Sequence, residues 1–145
     1  MKYTSEIVIN LPREKVIDLF DNPVNLLKWQ PELISFKHKE GIHGQKGAKS
    51  VLLYKMGNRE VEMTETIINR NLPEEFEATY DAKGVSNVSK NKFIAFSDTT
   101  TKWINENEFR FTGIMSVLSL FMQSAFKKQS MQFLENFKKF AESTA

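Results

Sequence analysis

The first 30 residues predict one strand followed by two short helices. Residues 3–10 alternate between apolar and polar side chains, which is typical of a half-buried strand. Leu11 and Pro12 end this strand, and apolar side chains with helical spacing follow over about residues 13–20. Asp21-Asn22-Pro23 breaks that helix, and Pro23 suits the first turn of a second short helix.

The middle of the chain predicts six further strands. Between residues 32 and 112 the apolar positions recur with a period of two, and Gly, Asn or Pro residues interrupt the pattern. The segments with this period are residues 33–40, 47–56, 59–69, 75–83, 85–97 and 99–112. Connections this short join antiparallel neighbours, so the sequence predicts an antiparallel meander.

The end of the chain predicts a single long helix from Gly113 to about Glu142, roughly 30 residues or about 45 Å. Its second half carries a narrow apolar stripe and predicts an ordinary amphipathic helix. Its first half, residues 114–126, is apolar on nearly every side. We expect this half to line the interior and to contact the short helices; the alternative is an exposed patch that contacts a membrane or a second subunit.

The positions of the charges predict which face of each strand points inward. Lys and Glu side chains mark one face, and the opposite face combines aromatic residues and methionines with these polar residues: His38, Ser50, Glu65, Tyr80, Asn87, Ser89, Asn91, Asn105 and Asn107. Buried polar groups without partners cost about 1–3 kcal/mol each. The pattern therefore predicts a wet, ligand-sized space between sheet and helix; the alternative is that the strands curl open and the asparagines meet bulk water.

Approximate hairpin registers place part of this polar set in one row. Folding the strands about their turns brings each of these residues opposite the next: His38, Ser50, Glu65, Tyr80, Ser89 and Asn107. We therefore expect a polar row that crosses the sheet.

Composition narrows the function classes. The chain has 145 residues, of which 41% are hydrophobic, so we expect a single domain over residues 1–145. The 20 basic and 18 acidic residues are mixed along the chain, which argues against a nucleic-acid partner. Without cysteine there are no disulfides, thiol nucleophiles or zinc–cysteine sites. No signal peptide or membrane span is evident, so we expect a cytoplasmic protein without stable membrane insertion.

Several segments carry a resemblance to a known superfamily. They are LPREKVIDLFDNP, the tryptophan of LLKWQPEL, GQKGAKSVLLYKMG, TETIINRNLPEEFEATY, SDTTTKW and the long terminal helix. Together they resemble the START/Bet v 1-like (SRPBCC) superfamily, which includes polyketide cyclase/dehydrase proteins, over nearly the whole chain. The resemblance implies an α+β helix-grip fold: a curved, seven-stranded antiparallel sheet around a long C-terminal helix, with two short helices after the first strand.

The resemblance also implies a hydrophobic ligand cavity and a place for Trp29. In many relatives a tryptophan after the second short helix plugs the cavity rim; the alternative is that Trp29 only pins the short helices to the sheet. We expect a ligand site with no cofactor, lined by Trp29, Phe36, Tyr54, Met63, Glu65, Tyr80, Phe93, Trp103, Phe109, Met115, Met122 and Phe126. The expected ligand is a small hydrophobic molecule, lipid- or polyketide-like.

Catalysis is the second hypothesis. A hydrolase triad of His38, Ser50 and Glu65 is disfavoured, because a flat strand offers no nucleophile elbow or oxyanion donors. Glu65 on an apolar face would have a raised pKa and is a candidate general base for a cyclase or dehydratase, perhaps with His38. The blander alternative is a Glu65 that orients Tyr80 or a water. No metal site is expected, since the two histidines, His38 and His43, should point to opposite faces. A third hypothesis is a module that binds a protein partner through residues 114–126.

Overall fold

The computed structural model describes residues 1–144 and contains one antiparallel sheet. Its strands are β1 (Lys2–Ile9), β2 (Leu33–Glu40), β3 (Lys49–Met56), β4 (Arg59–Asn71), β5 (Glu75–Ala82), β6 (Val85–Ala95) and β7 (Thr101–Phe111). β2 to β7 follow one another as a meander, and β1 pairs with β7 at one edge. All seven predicted strands are confirmed, and their ends differ from the prediction by at most two residues.

Two short helices follow β1, as predicted. α1 (Arg13–Phe20) buries Val16 and Leu19, and α2 (Leu26–Trp29) follows a 3₁₀ turn over Pro23–Asn25. The side chain of Asn22 accepts a hydrogen bond from the Val24 amide at 3.1 Å and so caps this turn. Both terminal guanidinium nitrogens of Arg70, Nη1 and Nη2, donate to the carboxylate of Asp21, which fixes the end of α1 to β4.

The prediction of one continuous terminal helix is wrong. The structure has α3 (Ile114–Leu118), a 3₁₀ turn over Ser119–Phe121, and α4 (Gln123–Thr144). The Ser119 hydroxyl donates to the Ser116 carbonyl at 2.9 Å, and Met122 leaves helical geometry with φ −115° and ψ 6°. Serine side chains compete in this way with the backbone bonds of a helix, so the break falls where serines interrupt the apolar run.

The packed core lies between the sheet, the two short helices and the second half of α4. Its fully buried aromatic members are Phe93, Trp103 and Phe137, and Leu134 and Ala141 of α4 join them. The Phe20 ring of α1 packs edge-on against the rings of Phe76, Phe93, Trp103 and Phe137. Such contacts hold α1, the sheet and α4 together.

The strand registers confirm most of the predicted polar row and correct one step. His38 pairs with Ser50, Ser50 with Glu65, Glu65 with Tyr80, and Ser89 with Asn107, as predicted. Tyr80 pairs with Asn87 and not with Ser89. The reason is the length of the turn: Ala82 pairs with Val85, so only two residues connect β5 to β6.

Gly84 makes this two-residue turn possible. Its φ is +80°, in the left-handed region that glycine adopts without strain. A Cβ atom at this position would lie 2.9 Å from Cγ of Met115, so the turn also lies directly against α3.

Candidate ligand-binding site

Three of the expected wall residues lie in the packed core. Trp29, Phe93 and Trp103 are 3%, 1% and 0% exposed. The rings of Phe93 and Trp103 stack at a centroid distance of 5.8 Å. The far end of the inner face, beneath α1 and the second half of α4, is therefore filled by side chains.

Trp29 connects α2 to α4. Its ring meets those of Phe133 and Phe137 edge-on, at centroid distances of 4.6 and 5.1 Å. Its buried Nε1–H group has no hydrogen-bond partner among the described residues. An unpaired buried donor costs about 1–3 kcal/mol, so this N–H is a place where a water or a polar ligand atom would stabilise the protein.

A second set of expected wall residues is only half-buried: Phe36, Tyr54, Met63, Glu65, Tyr80, Phe109, Met115 and Phe126. On β7 and α4, the ring of Phe126 contacts that of Phe109 at 5.0 Å. Further along the same face of the sheet, Met63 of β4 lies between Leu52 of β3 and the end of β5. These residues form the part of the inner face that is only partly covered.

Polar groups converge at the centre of this part. The Tyr80 hydroxyl donates to Oε2 of Glu65 at 2.9 Å, and the Tyr54 hydroxyl donates to Oε1 of Gln30 at 2.6 Å. Gln30 is buried and follows Trp29 directly. It is absent from the sequence-based site, although a polar residue between Trp29 and Pro31, at the entry to β2, was a signal that could have suggested it.

Burial governs the ionisation of these groups. Desolvation raises the pKa of Glu65, and the hydrogen bond from Tyr80 opposes part of that rise. Desolvation also raises the pKa of Tyr80 well above its ordinary value, and the neighbouring Glu65 and Tyr54 raise it further. The pKa of Tyr54 rises because of burial first, and then because of the carboxylates of Glu65 and Glu32. Both phenols therefore remain neutral at physiological pH and act as hydrogen-bond donors.

A ladder of amides on β6 and β7 continues the polar surface. Nδ2 of Asn87 donates to Oδ1 of Asn107 at 3.2 Å, Nδ2 of Asn107 donates to Oδ1 of Asn105 at 2.6 Å, and Nδ2 of Asn105 donates to Oδ1 of Asn91 at 2.8 Å. The Asn91 amide ends the ladder on the Phe76 carbonyl, and Oδ1 of Asn91 also accepts from Nε1 of Trp103. The inward asparagines thus satisfy one another, which explains how Asn91, Asn105 and Asn107 can be buried.

His38 lies outside this centre. It pairs with Ser50 as predicted, but its side chain is exposed and its Nε2 lies 2.8 Å from the Gly41 carbonyl oxygen. The expectation that His38 and His43 point to opposite faces is wrong, since their rings lie 5.2 Å apart. The loop after β2 folds back on that strand and brings the two rings together. Within residues 1–144, no three or more His, Asp or Glu side chains gather as metal ligands.

The start of the terminal helical region is exposed, contrary to the expectation that it lines the interior. The exposed fractions are 76% for Ile114, 57% for Val117, 43% for Leu118, 69% for Leu120, 83% for Phe121 and 38% for Met122. Among the apolar residues of this segment only Met115 and Phe126 are half-buried, and the polar Ser119 is buried. Contact with a second copy or a protein partner through residues 114–126 stays a prediction. None of the helices in residues 1–144 has the length and apolarity that a bilayer crossing requires.

A separate groove of about 340 Å³ lies between α1 and the turn after β4. Glu14, Ile17, Asp18, Leu72 and Pro73 line it. It is shallow, and none of the converging polar groups of the inner face reaches it. We therefore place the candidate site on the inner face.

This architecture is a helix-grip fold, with a seven-stranded antiparallel sheet, two short helices after β1 and a long C-terminal helix that packs on the sheet. The sequence profile of the family described as "Polyketide cyclase / dehydrase and lipid transport" matches residues 1–142. The chain belongs to this family. No curated protein sequence matches it.

Solved structures agree with the fold over the full length. An aromatase/cyclase, Zhui, from Streptomyces sp. R1128 is 11% identical, with a TM-score of 0.81 and coverage of 98% of this chain and 93% of that one. A START superfamily protein from Mycobacterium smegmatis is 6% identical, with a TM-score of 0.81 and coverage of 99% of both chains. Ara h 8.0201 is 16% identical, with a TM-score of 0.77 and coverage of 99% and 98%. At these identities the likeness concerns the fold alone.

Proposed function

We propose that this protein binds a small, mainly apolar molecule between the inner face of β3–β5 and α4. One observation carries the proposal. Tyr54, Glu65 and Tyr80 lie on the inner face of neighbouring central strands of the sheet, and each of these side chains is only half-buried. Side chains that protein surrounds but does not cover are typical of the lining of a ligand pocket.

The chemistry of the lining supports the same proposal. Phe36, Met63, Phe109 and Phe126 supply apolar surface, and Met63 adds a flexible side chain that adapts to ligands of different shape. Glu65, Tyr80 and Asn87 add a few polar groups in one row. Apolar walls with a small number of placed polar groups are the usual composition of small-molecule sites. The family description, which includes lipid transport, points to the same class of ligand.

Native mass spectrometry of freshly purified protein tests this proposal. We expect part of the protein to carry a non-covalently bound small molecule that denaturation releases. Because a ligand that binds only the folded state adds about 2.7 kcal/mol at a hundredfold excess over Kd, its removal should also lower the melting temperature. The proposal fails if the chain mass appears alone and no apolar compound, including Nile red, raises the melting temperature.

A second candidate function is that of a cyclase or dehydratase. The hydrogen bond between Tyr80 and Glu65 favours it, because a carboxylate with a raised pKa beside a neutral phenol pairs a base with an acid. Here Glu65 would remove a proton from a bound ligand, and Tyr80 would donate to a ligand oxygen. His38 lies at the exposed end of the row and does not touch this pair.

Replacing Glu65 with glutamine separates the two candidates through pH dependence. A raised folded pKa means that the ionised form costs stability, so the wild type should lose stability, relative to Glu65→Gln, as pH rises from about 4.3 through the folded value. At pH 7 we expect the variant to be equally or more stable, as measured by urea unfolding between pH 4 and 8. The matched control is Glu62→Gln, on the exposed face of the same strand.

The two candidates then predict different activities for Glu65→Gln. A binding protein should retain its affinity for an uncharged ligand. A catalyst should lose turnover of any identified substrate and still bind it. If the stability of Glu65→Gln and its pH dependence match those of the wild type, Glu65 lies in bulk water. It then neither lines the ligand site nor acts as a general base.

A further inference from the structure

We propose that residues 114–122, the docking segment, attach this protein to an anionic phospholipid surface. The apolar side chains of the segment enter the outer part of the acyl layer, and nearby lysines contact the headgroups. The contact is peripheral, because nine residues are too few to cross a bilayer. The proposal does not depend on the proposed ligand site. Three features carry it: an apolar side that points outward, serine hydroxyls that are already bonded, and a cationic border.

Helical spacing defines the apolar side of the docking segment. Four apolar side chains are spaced i, i+3, i+4 and i+7 and therefore share one side: Ile114, Val117, Leu118 and Phe121. All four are exposed. The opposite side carries Met115, which is half-buried, and Ser119, which is buried. A surface helix normally turns its apolar side inward, whereas this segment turns it outward.

Contacts at both ends of the docking segment hold it in this orientation. Met115 packs on the turn from β5 to β6, where a Cβ atom at Gly84 would lie 2.9 Å from its Cγ. Beyond the segment, the Phe126 ring contacts the rings of Phe109 and Phe111 at centroid distances of 5.0 and 5.6 Å. The exposed apolar side therefore cannot turn inward unless these contacts break.

The serine hydroxyls of the docking segment are already hydrogen-bonded. The Ser116 hydroxyl donates to the Gly113 carbonyl at 2.6 Å, and the Ser119 hydroxyl donates to the Ser116 carbonyl at 2.9 Å. The Met122 amide donates to the Ser119 carbonyl at 3.2 Å. Transfer of a polar group to an apolar environment is costly mainly when the group has no hydrogen-bond partner. These groups therefore oppose entry into the acyl layer only weakly.

Cations border the docking segment. Residues 109–134 contain three charged side chains, and all are cationic and exposed: Arg110, Lys127 and Lys128. Arg110 lies 3.5 Å from a carboxylate oxygen of Glu108, whereas Lys127 and Lys128 form no ion pair within residues 1–144. Lys83, in the turn from β5 to β6, is a further exposed cation. Each Lys or Arg near an anionic bilayer strengthens binding roughly fivefold.

This charge pattern favours an anionic bilayer over a second copy of the chain. A two-fold dimer through the docking segment would bring the same cations together from both copies. Two acids stand at the adjoining ends of β5 and β7, but Asp81 accepts a hydrogen bond from Ser86 and Glu108 pairs with Arg110. An anionic bilayer supplies both acyl chains for the apolar side and negative headgroups for the lysines.

Vesicle flotation tests the proposal. We expect the wild-type protein to float with vesicles of phosphatidylcholine in which about one third of the lipid is phosphatidylserine. Binding to vesicles of phosphatidylcholine alone should be at least about tenfold weaker, because the headgroups then lack net charge. Salt at about 1 M should also weaken binding to the anionic vesicles, since it shortens the screening length to about 3 Å.

Phe121→Ser removes the most exposed ring of the docking segment and should weaken binding to the anionic vesicles at least about tenfold. Its matched control is Phe96→Ser, which removes a ring that is 64% exposed at the opposite end of the sheet, after β6. This control should bind like the wild type. Circular dichroism of both variants verifies that they are folded.

Replacing Lys127 and Lys128 together with glutamine should weaken binding to the anionic vesicles at least about tenfold. The matched control replaces Lys90 and Lys92, two exposed cations on the outer face of β6, and should change binding by less than about threefold. This comparison separates a local cationic border from attraction by the net charge of the chain.

A tryptophan in the docking segment reports whether the segment enters the bilayer. Trp29 and Trp103 are buried, so the emission of Phe121→Trp should shift to shorter wavelength on anionic vesicles, and that of Phe96→Trp should not. Equal binding to both vesicle types, or binding that Phe121→Ser leaves intact, would overturn the proposal. So would a wild-type dimer that Phe121→Ser dissociates and that binds neither vesicle, because the segment would then join two copies of the chain.

Discussion

Trp29→Ala should lower the free energy of unfolding by about 3–5 kcal/mol, the usual cost of truncating a buried aromatic side chain to alanine. Trp29 is 3% exposed and packs edge-on against Phe133 and Phe137, so its loss leaves a cavity between α2 and α4. Urea unfolding followed by circular dichroism measures the change. Leu27→Ala is the matched control: it lies in the same helix with 53% of its side chain exposed, and it should cost less than about 0.5 kcal/mol.

Trp29→Phe examines the indole N–H separately. Phenylalanine keeps an aromatic ring against Phe133 and Phe137 and removes the donor that has no partner. Because phenylalanine fills most of the space that alanine leaves empty, this variant should be clearly more stable than Trp29→Ala. Removal of the unpaired donor, which costs about 1–3 kcal/mol when buried, should also offset part of its loss relative to the wild type. A loss below about 1 kcal/mol for Trp29→Ala would show that the ring does not hold α2 on α4.

The sequence predicts the strands of this protein well because charge marks one face of each of them. Lys90 and Lys92 on β6, like Glu60 and Glu62 on β4, alternate with side chains on the inner face, so both the period and the face follow directly from the chain. The error in the register between β5 and β6 has a local cause. Lys83 and Gly84 form the whole turn, and a pattern of period two does not specify whether a turn has two residues or four.

The terminal helical region was harder to predict because the apolar residues at its start do not recur with a regular period. Residues 114–122 are apolar on nearly every side, so the pattern specifies neither a buried face nor a helix end. The structure exposes most of this segment and breaks the helix at Ser119–Phe121. The break depends on hydrogen bonds from Ser116 and Ser119 to the backbone, and serine is common enough within helices that its presence alone does not predict one.

Some residues of the candidate site could be predicted from the sequence, and others could not. Inward positions such as Met63, Glu65 and Tyr80 follow from alternation, whereas the contact of Tyr54 with Gln30 joins residues 24 positions apart and depends on where α2 lies on the sheet. The amide ladder is a partial exception. Asn105-x-Asn107 on β7 and Asn87-x-Ser89-x-Asn91 on β6 repeat every second residue, so paired strands with this spacing predict facing polar side chains, although not their hydrogen bonds.

The central claim is that a ligand occupies the half-buried part of the inner face, and filling that part should abolish binding. Met63 is half-buried on β4, directly opposite Leu52 and two residues from Glu65. In Met63→Trp an indole would occupy the space, and a ligand that enters must displace or compress it at a cost of about 1–3 kcal/mol. The dissociation constant should therefore rise roughly 5- to 150-fold.

The measurement that tests this most directly is the affinity of Met63→Trp and Thr64→Trp for Nile red. Thr64 is the next residue on β4 and faces the outer side of the sheet, so Thr64→Trp adds the same ring without filling the inner space. Phe121→Ser serves as a second control, since Phe121 is 83% exposed and could bind the probe at the surface. We expect only Met63→Trp to weaken binding while remaining folded. Equal affinity in Met63→Trp and wild type, or a loss confined to Phe121→Ser, would contradict a ligand site on the inner face.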